Sequence, residues 1–147
     1  MNDSEKREIM LKEIDLIQNC ITRMAQNSFM IKGWVITLVA ACCALSSLQG
    51  DEWTALCIVG FLAIILFWYL DAFFLRMERL YRYKYEWIIK NRPANESFYF
   101  DLNPMNKGMW EDNRKDQSVI RVMFSRTLWP MYLLLLIVDL VVVFIQY

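Results

Sequence analysis

The sequence predicts an all-α integral membrane protein with three transmembrane helices, an N-terminal amphipathic cytoplasmic helix and a long second helix extending into the cytoplasm. Composition is the first reason: 57% of the 147 residues are apolar and 15% are aromatic, more than one soluble domain of this size can bury. The second reason is that residues 31–48, 53–75 and 128–147 form three apolar segments long enough to cross a bilayer. The third is that all 16 lysines and arginines lie before residue 33 or between residues 76 and 126.

The first element is the N-terminal region, residues 1–30, where a periodic seam predicts an amphipathic helix over residues 4–30. Successive seam residues are three or four positions apart: Met10, Ile14, Ile17, Ile21, Met24 and Ser28. Charged residues are expected to form its polar part: Lys6, Arg7, Lys12, Glu13, Asp15 and Arg23. Two partners for the seam stay open, namely another helix of the same protomer or a helix of a second subunit.

The stretch from Arg23 to Trp34 is where this charged helix becomes the first membrane span, 31–48. Small residues near the end of that span would allow another helix to approach closely. A polar turn is expected at residues 46–52. The second helix begins at residue 53 and, because Pro93 is the first clear breaker, continues past the membrane to about residue 91.

The cytoplasmic connection, residues 92–127, holds the longest irregular stretch of the chain. Residues 97–102 are expected to form either a short strand or a loop docked by its aromatic side chains. Residues 117–127 are expected to be helical again and to lead into the third span, 128–147. Pro130 then lies in the first turn of that span, where proline is tolerated. We expect residues 1–147 to form a single membrane domain.

The distribution of basic residues predicts the orientation. Under the positive-inside rule the N-terminus is cytoplasmic and the C-terminus lies on the other side of the membrane, with three spans. Three short spans with small-residue faces predict a symmetric homo-oligomer in the lipid bilayer. The formal net charge of zero argues against a nucleic-acid partner.

Catalytic and metal-binding patterns are missing from the sequence. The chain has no histidine, and its four cysteines lack the spacing of a metal site. No glycine-rich phosphate loop or activated nucleophile is visible. We therefore expect no enzyme activity, no catalytic residue, no metal and no cofactor.

Two carboxylates in or near the spans are candidates for pore or gating roles. Asp139 lies near the middle of the third span, where a charge costs roughly 2.5–3.5 kcal/mol on insertion scales. It is expected either to line a pore or to hydrogen-bond hydroxyl groups of the first span, with candidate partners Thr37, Ser46 and Ser47. Asp71 lies nearer the inner interface, where Lys32 or Arg76 is its expected ion-pair partner.

Basic and aromatic residues interleave along the cytoplasmic part of the second helix. Arg76, Arg79, Arg82 and Tyr83, with Arg126 near the third span, could bind an anionic planar ligand such as a nucleotide. Alternatively, the same residues anchor the chain to lipid headgroups.

Four motifs resemble a family of small three-span bacterial membrane proteins from anti-phage defence gene neighbourhoods, where they accompany TIR-domain proteins. The resemblance covers most of the chain. Its motifs are Asn27-Ser28-Phe29 with Lys32-Gly33-Trp34, Phe67-Trp68-Tyr69-Leu70-Asp71-Ala72, Glu78-Arg79-Leu80-Tyr81-Arg82 and Phe124-Ser125-Arg126-Thr127. It implies a membrane effector gated by a nucleotide second messenger or a TIR-domain partner. It also implies a location in the bacterial inner (cell) membrane, with the C-terminus periplasmic or extracellular. A shared structural or gating role is implied for Asn27, Ser28, Lys32, Gly33 and Trp34, whereas Asp139 is not part of the pattern.

Two functions follow as expectations. The first is an oligomeric, pore-forming inner-membrane effector of antiviral defence, which depolarises the membrane when a cytoplasmic signal acts on it. The second is a membrane anchor or sensor without a channel, which recruits a soluble defence partner through residues 93–117.

Overall fold

The computed structural model describes residues 2–46, 53–92, 94–106, 108 and 118–146, and every regular element within those ranges is a helix. Two are long, α1 (Asp3–Ser46) and α2 (Trp53–Asn91), and two are shorter, α3 (Val119–Met123) and α4 (Trp129–Gln146). The predicted all-α class is therefore confirmed for the described part of the chain. The expected turn at 46–52 lies outside the described residues, except for Ser46 at the end of α1.

Helix α1 is a single uninterrupted helix of 44 residues. Side-chain oxygens accept hydrogen bonds at its N-terminus: Asn2 Oδ1 accepts from the Asp3 backbone N–H at 2.8 Å, and Glu5 Oε2 accepts from the Asn2 backbone N–H at 2.9 Å. The helix continues without a break through Lys32 and Gly33, where the soluble half was expected to become the membrane half. The charged part and the apolar part of α1 therefore belong to one continuous helix.

Helices α1 and α2 pack side by side as an antiparallel pair. Near the chain reversal, Gly60 faces Cys42; further along, Asp71 meets Lys32; at the far end, Arg92 meets Glu13. The paired residues are nearly equidistant in sequence from the connection between the helices. One antiparallel register therefore accounts for contacts along the whole pair.

The predicted seam of α1 contacts α2 of the same chain. Ile17 and Cys20 of α1 are buried with Tyr81 and Ile88 of α2, and four further seam residues pack against this cluster: Met10, Ile14, Ile21 and Met24. Ser28, at the end of the seam, is also buried. The structure thus places the seam within the protomer.

The long second helix matches its predicted length. It runs for 39 residues, from Trp53 to Asn91, or about 58 Å at about 1.5 Å per residue. The Asn91 amide donates to the Trp87 carbonyl at 2.8 Å, so the last turn is closed by its own side chain. About half of this length exceeds the roughly 30 Å hydrocarbon core of a bilayer.

Of the two alternatives for residues 97–102 the structure has the loop, whereas the helix expected at 117–127 is shorter than predicted. Residues 97–102 form turns, with no strand, and Phe98 and Phe100 adopt left-handed φ values of 62° and 53°. The helix expected at 117–127 is only the five-residue α3, capped by Ser118. It ends because the Ser125 carbonyl accepts hydrogen bonds from Leu128 and Trp129 and so turns the chain into α4. Residue 117 lies outside the described part.

Two helices, α1 and α2, are long and apolar enough to cross a membrane. Only 22% and 28% of their most apolar 18-residue windows are buried, a pattern unlike that of core helices in a soluble protein. Helix α4 is apolar but shorter, over Trp129–Ile145. Tyr132 near the start of α4 and the preceding residue Leu128 pack on α1 and α2 around Val35, Val39 and Ile64.

Candidate functional site

A buried carboxylate connects the three longest helices. Asp71 of α2 is 0% exposed. Its Oδ1 atom accepts hydrogen bonds from Ser28 Oγ at 2.5 Å and Lys32 Nζ at 2.8 Å, and its Oδ2 atom lies 2.7 Å from Lys32 Nζ and accepts from Tyr132 OH at 3.0 Å. Ser28, Lys32, Asp71 and Tyr132 form what we call the junction network. The predicted pairing of Asp71 with Lys32 is present.

Helix α1 supplies two neighbouring donors because Ser28 and Lys32 lie one turn apart on the same face. Lys32 Nζ donates to Ser28 Oγ at 2.7 Å, while Ser28 donates to Asp71. The Lys32 side chain is 28% exposed, so its ammonium group lies between the buried carboxylate and the surface. These two side chains supply hydrogen-bond donors, which a carboxylate buried in an apolar core requires.

Helix α4 enters the network through Tyr132, which is 0% exposed. Its ring stacks on Trp68 with 5.6 Å between centroids and 6° between planes. Trp68 Nε1 in turn donates to the Met123 carbonyl at 3.0 Å. The end of α3 and the start of α4 are therefore held against the same turn of α2 that carries Asp71. Trp68 is itself buried.

The network lies where the apolar segments of α1 and α2 meet the charged halves of the same helices. A buried charge left without its partner costs about 3–5 kcal/mol, which makes a separation of these helices unfavourable while Asp71 stays ionised. Asp71 of α2 thus binds donors from α1 through one set of contacts and the Tyr132 hydroxyl of α4 through another. Asn27, the fifth predicted gating residue, is half-buried beside Ser28.

Asp139 is not part of the junction network. It faces Gly60 on α2, eleven residues before Asp71, or about 16 Å along the helix at about 1.5 Å per residue. Asp139 is only 5% exposed. Two of its predicted partners bind elsewhere, because Ser46 Oγ donates to the Cys43 carbonyl and Thr37 Oγ1 donates to the Gly33 carbonyl. Ser47 lies outside the described residues.

The basic face of α2 is largely engaged within the chain. Arg82 donates twice to Glu78, at 2.9 and 2.6 Å, and Arg76 contacts the Met105 sulfur at 4.0 Å. Arg79 and Tyr83 also have interactions within the structure. Arg126 is exposed in the turn between α3 and α4. A groove of about 310 Å³ lies beside Arg82, lined also by Gln18, Ile21, Thr22 and Tyr85.

A second buried ion pair attaches the cytoplasmic loop to α1. Arg92 Nε donates to Glu13 Oε2 at 3.0 Å, and both side chains are almost fully buried. Glu13 also accepts from the Phe100 backbone at 2.7 Å, and the guanidinium stacks over Tyr99 at 4.1 Å. We call Glu13, Arg92 and Tyr99 the loop clasp. Glu13 was expected on the polar face of α1 and is instead buried because it lies on the same face as Ile17.

Lys84 is another buried charged residue, and it also contacts the loop. It is 1% exposed and donates to the Asn103 carbonyl at 3.0 Å, with Asp101 at 3.5 Å. Burial lowers the pKa of the Lys84 ammonium below its usual range, and Asp101 opposes that effect only in part. Bonds from the Asn106 amide and the Asn103 backbone lower the pKa of the Asp101 carboxyl.

Sequence reasoning missed Tyr132, Trp68, Arg92 and Lys84. Tyr132 carries a usable signal, since a phenol inside an apolar span needs a hydrogen-bond partner. Glu13 carries another, since it lies four residues before Ile17 on the seam. Arg92 and Lys84 depend on how the loop folds back, which no periodicity of the sequence encodes.

Comparisons with protein-family models, curated proteins and solved structures give no match to the chain.

Proposed function

We propose that the chain is an oligomeric effector of bacterial antiviral defence that depolarises the inner membrane when a cytoplasmic signal or partner acts on it. The observation that carries the proposal is the junction network. It connects α1, α2 and α4 at the level where charged cytoplasmic helix becomes apolar span. The motifs that resemble small defence-associated membrane proteins support the same role, because Ser28, Lys32 and Asp71 all belong to them.

The proposed topology has three spans with the N-terminus inside. α4 has 18 residues, or about 27 Å, which approaches the roughly 30 Å of a bilayer core. The surface of the apolar helices supports insertion, since Phe29, Trp34 and Tyr69 are exposed near the junction network. The charged halves of α1 and α2 then lie in the cytoplasm, as the positive-inside rule requires.

Conduction through this fold requires several copies. The centre between α1, α2 and α4 is filled by apolar side chains, among them Val35, Val39, Ile64 and Ala72. One chain therefore offers no aqueous path along that core. A symmetric oligomer would form such a path between subunits, with small residues of α1 allowing close contact.

The proposed signal is an anionic nucleotide messenger or a TIR-domain protein that acts on the cytoplasmic helices. Arg82 lines the 310 Å³ groove and is the exposed member of the predicted basic set on α2. A ligand in this groove would contact side chains of both α1 and α2, and its binding would thereby act on the packing of the two helices. The junction network would then transmit that change to α4.

The experiment is a measurement of inner-membrane potential during phage infection. Cells expressing the chain with its native neighbouring genes should lose potential before lysis. Cells expressing Asp71→Asn, inserted to the same level, should lose potential without any trigger. A stable potential and full viability under every activating condition would exclude an effector that permeabilises the membrane.

A second candidate is an anchor that recruits a soluble partner, and the cytoplasmic loop favours it. Phe98, Phe100, Leu102 and Met105 are between 37% and 49% exposed. Phe98 and Phe100 also hold left-handed backbone conformations, a strain that clusters at binding sites. A detergent-purified monomer with a stoichiometric cytosolic partner, lost in Phe98→Ser/Phe100→Ser, would favour this function over the first.

A further inference from the structure

We propose that the groove between α2 and α4 binds a cationic amphiphile, a single-chain molecule with a protonated amine, which pairs with Asp139. This inference does not depend on the effector role. It rests on the shape of the groove, on the position of its one carboxylate and on the distribution of charge in the sequence.

The groove has the dimensions and chemistry of a ligand site. Its volume is about 570 Å³, within the roughly 300–1,000 Å³ of small-molecule pockets. The lining is mostly apolar, and its polar groups are the Trp53 indole, the Thr54 hydroxyl, the Cys57 thiol and the Asp139 carboxylate. Its members are Trp53, Thr54, Cys57, Ile58, Phe61, Leu62, Leu136, Asp139, Leu140 and Val143. Along α2 it extends from Trp53 to Leu62, or about 14 Å at about 1.5 Å per residue.

The groove opens toward the surroundings of the helices. Ile58, Phe61, Leu62 and Leu140 line it and are between 49% and 69% exposed. In a bilayer these side chains meet lipid tails. A molecule with an aliphatic chain can therefore enter sideways from the membrane.

Asp139 is the one charged group of the groove and needs a partner. It is 5% exposed, and the polar groups recorded as interacting with its carboxylate, among the residues the structure describes, are the thiols of Cys42, Cys43 and Cys57, which are weak donors. The missing side chain of Gly60 leaves space for the Asp139 carboxylate, because a Cβ at residue 60 would lie 2.8 Å from Asp139 Oδ1. A buried carboxylate without a strong donor is costly, so the site favours a ligand that brings one.

The chain itself has no cation to offer at this depth. No lysine or arginine occurs in residues 33–75 or 127–147. A second copy packed against the groove would contribute apolar side chains and no positive charge. Charge complementarity therefore selects a cation from outside the protein, and the apolar lining selects one attached to an aliphatic chain.

The test is equilibrium binding of radiolabelled dodecylamine to the full chain in nanodiscs of zwitterionic lipid, with binding to empty nanodiscs subtracted. Dodecanol has the same chain without the charge and serves as the matched probe. We expect dodecylamine to bind at least about tenfold more tightly than dodecanol, a preference that Asp139→Asn removes. Asp15→Asn changes an exposed carboxylate on α1 and should leave binding unaltered.

A variant that keeps the carboxylate separates loss of the site from loss of the fold. Ile58→Trp fills the groove and should abolish dodecylamine binding, while helix content and melting temperature stay near those of the parent. Equal binding of the two probes, or equal dodecylamine binding by the parent and Asp139→Asn, would overturn the proposal. So would a Thr54→Cys crosslink between two copies that persists at saturating dodecylamine, since it would assign the groove to a second chain.

Discussion

Lys32 Nζ lies 2.7 Å from Asp71 Oδ2, and this contact joins the first two helices at the end of their apolar segments. The carboxylate is 0% exposed, whereas the lysine side chain keeps 28% of its exposure. The pair is thus asymmetric: Asp71 depends on its donors, while the ammonium group retains access to the surface. Ser28 and Tyr132 complete the set of donors from α1 and α4.

Removing one partner of the Lys32–Asp71 pair should lower the stability of the fold more than removing both charges. Lys32→Met leaves Asp71 buried with two hydroxyl donors, and we expect a lower melting temperature in detergent. The loss should be smaller than the about 3–5 kcal/mol of a fully buried pair because Lys32 is partly exposed. Lys32→Met/Asp71→Asn should recover much of the stability. A double variant that is as unstable as the sum of the single variants would show that the two groups are not coupled.

Tyr132 should contribute through both its hydroxyl and its ring. Tyr132→Phe removes the hydrogen bond to Asp71 and keeps the stacking on Trp68, so unfolding should become easier by about 1–3 kcal/mol. Tyr132→Leu should cost about 0.5–1.5 kcal/mol more, since the stacking is also lost. Thermal melts of both variants in one detergent measure the difference, and Trp129→Phe, at an exposed aromatic, is the control. Identical melting temperatures for Tyr132→Phe and the parent would show that the Tyr132 hydroxyl does not stabilise the network.

The loop clasp should hold residues 94–106 against the helices. Glu13→Ala leaves the buried Arg92 guanidinium without its carboxylate and frees the Phe100 amide. We expect faster amide hydrogen exchange and faster limited proteolysis within 94–106. Glu8→Ala removes an exposed carboxylate that pairs with Lys12 one turn away, and it should leave the loop unchanged. Equal loop protection in the two variants would contradict the clasp.

The contribution of Lys84 to stability should vary with pH in the alkaline range. Because burial lowers its folded-state pKa below the ordinary 10.5, the unfolded chain binds more protons between the two values. The contribution of Lys84 to stability therefore rises with pH up to the unfolded pKa. The melting temperature of the parent minus that of Lys84→Met should increase as pH rises from about 8 toward about 10.5. A difference that falls over this range would reverse the sign and contradict the account.

The features that were predictable from the sequence are those set by one helix at a time. Apolar segments, the length of α2 and the pairing of Lys32 with Asp71 follow from composition and from the hairpin, which brings residues equidistant from its turn together. Tyr132 and Arg92 were missed because their contacts depend on how a third helix and a loop dock. Glu13 was misplaced because its charge suggested solvent, while its spacing from Ile17 placed it on the buried face.

Residues 97–102 show the same limit, because the sequence left a strand and a loop open as alternatives. Alternating aromatic residues are typical of a strand, but the two phenylalanines take left-handed conformations when Arg92 packs under Tyr99. A tertiary contact from residue 92 overrides the local preference. Only the position of Glu13 on a distant helix explains why the loop turns there.

The central claim is that the junction network couples the cytoplasmic helices to the spans, and membrane potential tests it most directly. Cells expressing Lys32→Met or Asp71→Asn at parental levels, with insertion and oligomer size verified, should lose inner-membrane potential without any trigger, because the helices are no longer held together. Cells expressing the parent or the Glu8→Ala control should keep their potential until they are activated. Parental potential in both network variants, before and during phage infection, would contradict the account.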